Sequence, residues 1–446
     1  MHKGLNLFSY KNTNPSLSGW GKNKLYSSDI YSLDSYEDLS SLKSYKEIIP
    51  RGLGRSYGDS SIGKKVLETR SLERIIDFDE KFGLIECESG ISFSNLLETV
   101  IPKGWFLPVV AGTKNITLGG AIASDIHGKN HHKDGTLSNW IESLEILTGD
   151  GKVVTASTKI HSDLFFATCG GMGLTGIILK AKLKLKKISS TDINVKKFKI
   201  ESLEELLDKF EEYNDSDYSV SWIDLSGSTK ESIRSVLSLG SHSADGELKI
   251  SKGREISVPR IVPPGLINNL SIKLFNRLYY STSIERRAAK LTSYNNFFFP
   301  LDYVSNWNNL YGNKGFLQYQ FVLPKDCGVK ELKEIIEIIS SSNIYPSLTV
   351  LKKFGKENSN YLSFPKEGLT LALDFRMKSS IFKLLAKLDA SVLNLGGRHY
   401  LTKDSHMNEK TFKITYDNWE QFQNVRKKYQ SQDIFKSYQS VRLGLN

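Results

Sequence analysis

Three glycine clusters within about 125 residues constrain this chain more than any other feature. They span residues 52–58 (GLGRSYG), 112–120 (GTKNITLGG) and 170–176 (GGMGLTG), and each adjoins an apolar run of strand length. Glycine lets backbone N–H groups approach a phosphate without a Cβ in the way. One such cluster alone fits a tight turn equally well. Three together predict an extended ligand that carries a diphosphate and lies between two small sheets.

The first cluster lacks the pattern of a Rossmann dinucleotide site. Its spacing is G-x-G-x-x-x-G, Pro50 precedes it, and no helical pattern follows it. A Rossmann fingerprint reads G-x-G-x-x-G between a strand and a helix. We therefore expect no Rossmann site on this loop.

The sequence around the clusters predicts short strands and helices. KEIIP, RIIDFD and LIECESGI are strand-length runs, and FSNLLETVIPKG predicts a helix that stops at Gly104. The triplet Gly149-Asp150-Gly151 predicts a hairpin turn. Alternation from Leu179 predicts a strand with a solvated lysine face, formed by Lys180, Lys182, Lys184 and Lys186. Helical and strand-like runs follow residue 190 and predict a second, α+β domain.

Composition excludes several classes of protein. The 446 residues are 24% charged and 39% hydrophobic, as in soluble globular proteins of two or three domains. Neither a run of 18 apolar residues nor a signal-like start is present, so we expect no spanning helix and no secretory signal. Cys87, Cys169 and Cys327 stand far apart, which fits a reducing compartment without disulfides or structural zinc.

The net charge of +11 suggests an anionic partner. A basic nucleic-acid-binding protein would also fit it, but the lysines are spread out and no helix-turn-helix, zinc finger or RNP-like motif is present. We therefore expect no nucleic acid. Residues 251–270 predict a long loop, either a lid or a connector. The following LSIKLFNRLYYSTSIERRAAK could touch lipid headgroups, although an ordinary amphipathic surface helix explains it more simply.

Three of the eight histidines fall in DIHGKNHH, residues 125–132. Imidazoles are common metal ligands, but no cysteine or carboxylate cluster accompanies them here. A redox or substrate-orienting role is therefore the better interpretation.

These segments resemble the FAD domain of the vanillyl-alcohol-oxidase and p-cresol-methylhydroxylase superfamily, and more closely the decaprenylphosphoryl-β-D-ribose 2′-oxidase family. RGLGRSYGD, LGGAIASDIHGKNHH, GGMGLTGII, GFLQYQFVLP and GGRHYLTKDS carry the resemblance in order, from about residue 45 to the C-terminus. It implies a two-domain α+β fold of the p-cresol-methylhydroxylase type. The implied parts are an FAD-binding domain (1–190), an α+β substrate domain (191–397) and a C-terminal segment (398–446) that returns to the FAD domain.

The resemblance implies that FAD is held by two loops and two further contacts. The implied cofactor-binding residues are Pro50, Arg51, Gly52, Leu53, Gly54, Arg55, Ser56, Tyr57, Gly58, Asp59, Ser60, Gly112, Thr117, Leu118, Gly119, Gly120, Ser124, Asp125, Ile126, His127, Ile178 and Tyr400. Many oxidases of the superfamily attach FAD through a histidine in the first loop. GRSYGD has none, so we expect non-covalent FAD.

The reaction implied by the resemblance is oxidation of the 2′-OH of a polyprenylphosphoryl-β-D-ribose to a 2′-keto sugar. This is the first half of 2′-epimerisation to arabinose for cell-envelope glycans. The implied catalytic residues are Lys403, His127 and Tyr57. The implied substrate-binding residues are Lys129, Trp222, Gln318, Gln320, Lys352 and Lys403. Lys403 would stabilise alkoxide charge or act as base, and His127 would orient the sugar.

Three positions depart from the family pattern. Ala372, Phe298 and Thr370 stand where the best-known members carry Cys, Tyr and Asn. The first change excludes thiol chemistry there, and all three alter the pocket wall, so the sugar or the lipid length can differ. An FAD-dependent oxidase of a soluble sugar, polyol or sugar lactone is the alternative on the same fold.

The resemblance also implies partners. A separate short-chain NAD(P)-dependent reductase would complete the epimerisation, since this chain has no Rossmann fingerprint. A lipid-linked substrate without a spanning helix predicts a protein that is cytoplasmic or peripheral at the inner face of a membrane.

Overall fold

The structure, a computed structural model, describes residues 8–12, 16–33, 45–227, 232–251, 256–263 and 265–445. Residues 252–255 and 264 of the predicted long loop lie outside this part.

Thirteen strands are described before residue 190, and most form two sheets. In chain order they are β1 (Phe8–Asn12), β2 (Ser16–Leu17), β3 (Tyr26–Ser27), β4 (Asp29–Leu33), β5 (Ile48–Arg51), β6 (Lys65–Glu68), β7 (Ile75–Asp79), β8 (Leu84–Glu88), β9 (Trp105–Phe106), β10 (Ile141–Leu147), β11 (Val153–Ala156), β12 (Ile177–Lys184) and β13 (Lys186–Lys187). One sheet has the order β1-β4-β6-β5, with β4 and β5 parallel to β6. The other is antiparallel with the order β11-β10-β12-β8-β7. The first and third glycine clusters adjoin these sheets, since they follow β5 and precede β12.

Four short helices accompany these sheets, α1 (Phe93–Val100), α2 (Leu118–Ala123), α3 (His131–Asp134) and α4 (Ser162–Thr168). The predicted helix before Gly104 is confirmed. The Ser92 hydroxyl caps α1 by accepting from Asn95 N, a turn of 3₁₀ helix (Ile101–Lys103) follows, and Gly104 ends it at φ 82°. Only glycine adopts that φ without strain, which explains the stop.

The predicted hairpin is also confirmed. β10 and β11 pair in register, and Thr148 N–H donates to Lys152 O at 2.9 Å across the turn. The predicted strand from Leu179 is confirmed as part of β12, but its lysine face is less solvated than expected. Lys180 and Lys186 are half-buried and form ion pairs with Glu145 and Asp134.

Residues 192–399 form a large antiparallel sheet. The strands after residue 190 are β14 (Asp192–Ile200), β15 (Tyr218–Asp224), β16 (Arg234–His242), β17 (Ile256–Ser257), β18 (Arg286–Ser293), β19 (Val304–Ser305), β20 (Phe316–Pro324), β21 (Leu348–Phe354), β22 (Gly368–Arg376) and β23 (Arg398–His399). Eight of them, among the described residues, follow the order β18-β14-β16-β15-β21-β22-β20-β23. β23 lies just beyond the predicted boundary at 397, and the division into domains stays a prediction.

One face of this sheet forms the second core. Alternate residues of β20 and β22, such as Leu317, Phe321 and Leu373, are buried among apolar side chains of three helices. These are α5 (Leu203–Glu212), α8 (Val329–Ser341) and α9 (Ile381–Asn394). Because side chains alternate across a strand, the residues between them point to the opposite face. That face is left for the site.

Two of the described α-helices lie between β17 and β19. α6 (Asn269–Thr282) is followed by β18 and then α7 (Tyr294–Phe298). The stretch LSIKLFNRLYYSTSIERRAAK (270–290) is therefore a helix only in its first part. Its RRAAK end belongs to β18, which pairs with β14. The interpretation as one surface helix was wrong for this end, because edge pairing satisfies the backbone there.

The C-terminal segment contains α10 (Glu409–Thr415), α11 (Trp419–Lys428) and α12 (Tyr438–Arg442). Its aromatic side chains, including Phe412, Tyr416 and Phe422, are buried in the same core as Ile85 and Leu144 of the first 190 residues. The chain end is thus held against the part that carries the glycine clusters.

Candidate active site

A cavity of about 780 Å³ lies between the glycine loops and the free face of the large sheet. Residues of the first two clusters line one side. β15 contributes Val220 and Trp222 to the other side, β20 contributes Gln318 and Gln320, and β22 contributes Ala372 and Asp374. A volume of this size suits a cofactor or a drug-sized ligand.

The backbone of the two glycine loops fits a diphosphate. Among the described residues, the N–H groups of residues 52–56 and 112–113 donate to no protein acceptor. These residues are half-buried or exposed at the cavity, so their N–H groups are open to a ligand, and a run of such donors suits an anion. A Cβ on Gly52 would lie 2.1 Å from Thr117 Oγ1, and one on Gly119 would lie 2.8 Å from Ser89 Cβ. These glycines let the loops approach each other closely enough to form one cradle.

Two arginines stiffen the first loop. Arg51 donates to Ser18 O at 2.9 Å and to Ser61 Oγ at 3.1 Å, and burial lowers its pKa to about 10. The Arg55 guanidinium stacks on Trp20, 4.1 Å from the ring centre. Arg55 Nε is buried without an acceptor in the described part of the chain. It is a further donor for an anionic or carbonyl-bearing ligand.

Asp125 holds the turn that carries His127. Its carboxylate is fully buried and accepts from Ser138 N, from the Asn358 and Asn360 amides at 2.7 and 2.8 Å, and from Ser363 Oγ at 2.6 Å. Its own φ is 38°, a left-handed value that needs such support. The buried carboxylate therefore has a positioning role.

His127 is presented to the cavity as a neutral imidazole. Burial, and then the Lys352 charge, hold its pKa well below the usual value. The Gln320 amide donates to His127 Nε2 at 3.1 Å, which leaves the proton on Nδ1. Nδ1 is buried without a partner among the described residues. The ring can therefore donate one hydrogen bond to a ligand.

Lys403 is enclosed by an aromatic ring and a carboxylate. Its Nζ lies 3.9 Å from the centre of the Tyr57 ring. Burial lowers the pKa of Lys403, and the Asp374 charge partly raises it again. Burial raises the pKa of Asp374, while the Gln318 amide, which donates to it at 2.5 Å, lowers it. This cluster can exchange a proton near neutral pH.

Two more lysines, both partly buried, lie on the cavity. Lys129 donates to the Phe297 and Phe298 carbonyls, and its Nζ lies 4.7 Å from the Phe297 ring centre. Lys352 has no carboxylate partner in the described part of the chain. Burial lowers the pKa of each to about 7, and repulsion between charges adds to it. Buried cations without counter-charges favour an anionic ligand.

The structure places nearly all predicted site residues on this cavity, including all six substrate residues and the three catalytic ones. Gly58, Asp59, Leu118 and Asp125 do not line it. Asp59 pairs with Arg442, Leu118 is core, and a Cβ on Gly58 would meet Asp404 O. Trp222 lies on the cavity wall.

The three histidines of DIHGKNHH separate in space. His127 faces the cavity, His131 Nδ1 accepts from Gly355 N at 3.2 Å, and His132 Nε2 lies 2.8 Å from Ser216 O. Of the three, His127 lines the cavity, and its role as an orienting residue stays a prediction.

Sequence reasoning missed Asp374. The alternation of LTLALDF puts Ala372 and Asp374 on one face, and that signal could have found it. Of the three departures, Ala372 and Phe298 line the cavity, whereas Thr370 acts through Gln320, whose amide donates to the Thr370 hydroxyl at 3.2 Å. Thr370 thus helps to fix the side chain that contacts His127.

Comparisons with known proteins agree with the geometry. The family model "FAD binding domain" matches residues 41–157. This match and the mixed sheets and helices confirm the predicted α+β fold class with an FAD-binding domain, and the predicted cofactor FAD. Non-covalent attachment stays a prediction. None of the described helices is both long and apolar enough to cross a bilayer.

Relatives match over different shares of the chain. The chain is 30% identical to cytokinin dehydrogenase 1 of Arabidopsis thaliana over 31% of this chain and 25% of that protein. It is 34% identical to decaprenylphosphoryl-β-D-ribose oxidase of Mycolicibacterium smegmatis, over 98% of this chain and 99% of that protein. The chain therefore belongs to the decaprenylphosphoryl-β-D-ribose oxidase family and is an FAD-dependent oxidoreductase.

Proposed function

We propose that this protein oxidises the 2′-OH of a polyprenylphosphoryl-β-D-ribose to a 2′-keto sugar, the first half of 2′-epimerisation to arabinose for cell-envelope glycans. The observation that carries this proposal is the buried cluster of Lys403, Asp374 and Tyr57 beside the FAD cradle. It offers a proton acceptor for an alcohol where a redox cofactor is expected. The full-length relative from M. smegmatis supports the substrate class.

The polarity of the free face of the large sheet changes from strand to strand across the sheet. Gln318, Gln320 and Asp374, at the β20–β22 end, are polar. Toward β14 the lining gains apolar side chains, Val195, Val220, Trp222 and Val236, interspersed with Lys197 and Ser238. A sugar matches the polar end and an isoprenoid chain matches the apolar end. A substrate with both parts uses the whole face.

Lys403 is the proposed base. When bound, FAD supplies the acceptor for the hydride that leaves the sugar C2′. The hydroxyl proton leaves to Lys403 Nζ, which burial makes available in its neutral form. The charge that forms on Lys403 lies over the Tyr57 ring and is favoured by the negative charge of Asp374, so both stabilise it.

His127 and Gln320 are proposed to orient the sugar. The free Nδ1–H of His127 is the donor for a sugar oxygen, and Gln320 fixes the ring by its bond to Nε2. Thr370 and the neighbouring strand hold Gln320 in turn. Positioning of this kind is worth a large part of a rate enhancement.

Lys129 and Lys352 are proposed to bind the phosphodiester. Both amines are partly buried on the cavity with a pKa lowered to about 7, and Lys352 has no carboxylate partner in the described part of the chain. A phosphate placed between them would restore their charged forms. A free sugar lacks this anion, so the lysines favour the lipid-linked substrate over a soluble sugar.

We further propose the reductase partner and the non-covalent cofactor that the family resemblance implies. The product is a keto sugar, and its return to an alcohol needs a separate hydride donor. The absence of a Rossmann fingerprint in this sequence supports a second protein for that step. On the cavity lining, as far as it is described, His127 is the single histidine and no cysteine is present, which supports FAD held without a covalent bond.

An anaerobic visible spectrum tests the substrate. We expect the oxidised-flavin band to bleach on addition of polyprenylphosphoryl-β-D-ribose and to remain with free ribose at the same concentration. Equal bleaching by free sugars or polyols would favour an oxidase of soluble substrates. A stable band with every candidate would overturn the proposed reaction while leaving the FAD site intact.

A further inference from the structure

Helix α6 turns an apolar row toward solvent. Leu270, Leu274 and Leu278 recur every four residues and are 76%, 58% and 54% exposed. Ile261 and Leu266, in the segment that leads to the helix, are also exposed. Of the twenty large exposed apolar side chains in the described part of the chain, ten lie within residues 256–293. We call the exposed side of α6, with Leu270, Leu274, Leu278, Lys273 and Arg277, the α6 face.

The inner side of α6 is what attaches it to the protein. Ile272 and Asn276 are its buried residues, and the Asn276 amide donates to Asp224 Oδ1 at 2.8 Å. The Asn268 side chain caps the helix by accepting from Leu270 N and Ser271 N. The helix is thus held by a small, partly polar contact. An ordinary surface helix would bury its leucine row instead.

The α6 face is continuous with the mouth of the cavity. Phe275 and Tyr279 are exposed on the helix and also line the cavity. Tyr279 lies 4.6 Å from Trp222, ring centre to ring centre. The apolar end of the sheet therefore opens directly at this face. A chain leaving the cavity would emerge beside the leucine row.

The charge of the α6 face is positive. Residues 256–293 contain six Lys or Arg and one Glu. Lys273 and Arg277 lie one turn apart on α6 and are exposed, next to the leucine row. Arg286 lines the cavity mouth. Exposed apolar side chains bordered by cations are the pattern of a helix that lies in a membrane interface.

We propose that the α6 face docks on the surface of a bilayer that contains anionic lipids. Leu270, Leu274 and Leu278 enter the acyl boundary, and Lys273 and Arg277 contact lipid phosphates. The site at β20 and Trp222 of β15, which contacts Tyr279 at the mouth, are three strands apart, roughly 14 Å at the usual spacing. A polyprenyl chain bridges that distance and stays in the bilayer while the sugar reaches Lys403. This inference rests on the proposed function for the identity of the chain that emerges.

Vesicle co-sedimentation of the full-length, FAD-loaded protein tests the docking. The probe vesicles are phosphatidylcholine with phosphatidylglycerol, and phosphatidylcholine alone. We expect binding to the anionic vesicles that weakens with salt. The double variant Leu274→Glu with Leu278→Glu should bind them more than about tenfold more weakly. Phe82→Glu with Ile160→Glu is the matched control, since both are exposed apolar residues outside the α6 face.

A second readout separates docking from chemistry. Flavin bleaching by polyprenylphosphoryl-β-D-ribose in detergent micelles should be unchanged in the α6 variant, because neither leucine lines the cavity. With the substrate in vesicles, the same variant should be reduced more slowly.

Three outcomes overturn the docking. In the first, the wild type stays in the supernatant. In the second, the α6 variant sediments with the vesicles as much as the control variant does. In the third, substitution in the α6 face changes only self-association or the capture of a partner protein. Wild-type sedimentation without bleaching by any lipid-linked ribose would instead overturn the proposed function and leave the docking in place.

Discussion

Lys403 Nζ lies 3.9 Å from the centre of the Tyr57 ring. The lysine comes from the C-terminal segment and the tyrosine from the first glycine loop. Tyr57 N–H also donates to Thr402 O at 2.9 Å, so the backbone joins the two segments at this point. The proposed base therefore lies against the same loop that is expected to hold FAD.

Replacement of Lys403 should abolish turnover without loss of cofactor. We expect Lys403→Met to slow flavin reduction by roughly 10²–10⁴, the usual range for a general base. The flavin content should stay near that of the wild type, because Lys403 makes no bond to the loops beyond its contact with Tyr57. Stopped-flow reduction with substrate measures the rate. Lys427→Met, an exposed lysine of α11, is the control, and near-normal reduction of Lys403→Met would exclude it as the base.

Removal of the Asp374 charge should move the pH profile in a defined direction. The reaction needs neutral Lys403, so the reduction rate should rise with pH through the pKa of Lys403. Asp374 raises that pKa, and Asp374→Asn should therefore shift the rising limb to lower pH. The rate of flavin reduction in both proteins from about pH 5 to about pH 10 tests this, because that range brackets the lowered pKa of Lys403. An alkaline shift in the variant would contradict the assignment.

Lys352 should make the protein more stable as pH rises above neutral. Its folded-state pKa is lowered to about 7, whereas an unfolded lysine keeps its ordinary value. Above pH 7 the unfolded chain binds more protons at this position, so the free energy of unfolding increases with pH. Lys352→Met should flatten that slope by up to about 1.4 kcal/mol per pH unit. Urea unfolding of both proteins between about pH 7 and about pH 8.5 measures it, because the titration of the cysteines is common to the two proteins and cancels in the difference. Identical slopes in the two proteins would show that Lys352 is not buried in its neutral form.

Gly52→Ala should reduce FAD content. The new Cβ would lie 2.1 Å from Thr117 Oγ1, so the two loops of the cradle would have to separate. The ratio of visible flavin absorbance to protein absorbance after gel filtration measures occupancy, and we expect it to fall to less than about half. Gly328→Ala is the control, because a Cβ there meets nothing within 4 Å. Full occupancy in Gly52→Ala would mean that the loops do not form one cradle.

Local sequence signals predicted the elements that depend on neighbouring residues. The hairpin at residues 149–151, the helix stop at Gly104 and the strand from Leu179 all follow from turn chemistry and periodicity. The segment after α6 was predicted wrongly as helix, because β18 forms through pairing with β14 and not from a local signal. Asp374 was overlooked for a similar reason. Its strand was recognised, but the face that meets the cavity depends on which helices cover the other face.

The sequence by itself determined the glycine loops, the alternation of the strands and, through motif order, the family of the protein. Those features are local, since they depend on backbone freedom and on the spacing of side chains along one segment. Only the tertiary structure decided that Lys403, Asp374 and Tyr57 meet, that Lys129 and Lys352 are partly buried with no carboxylate partner among the described residues, and that the leucine row of α6 faces outward. Burial and the distance between charges set these properties, and both arise only when distant segments pack together.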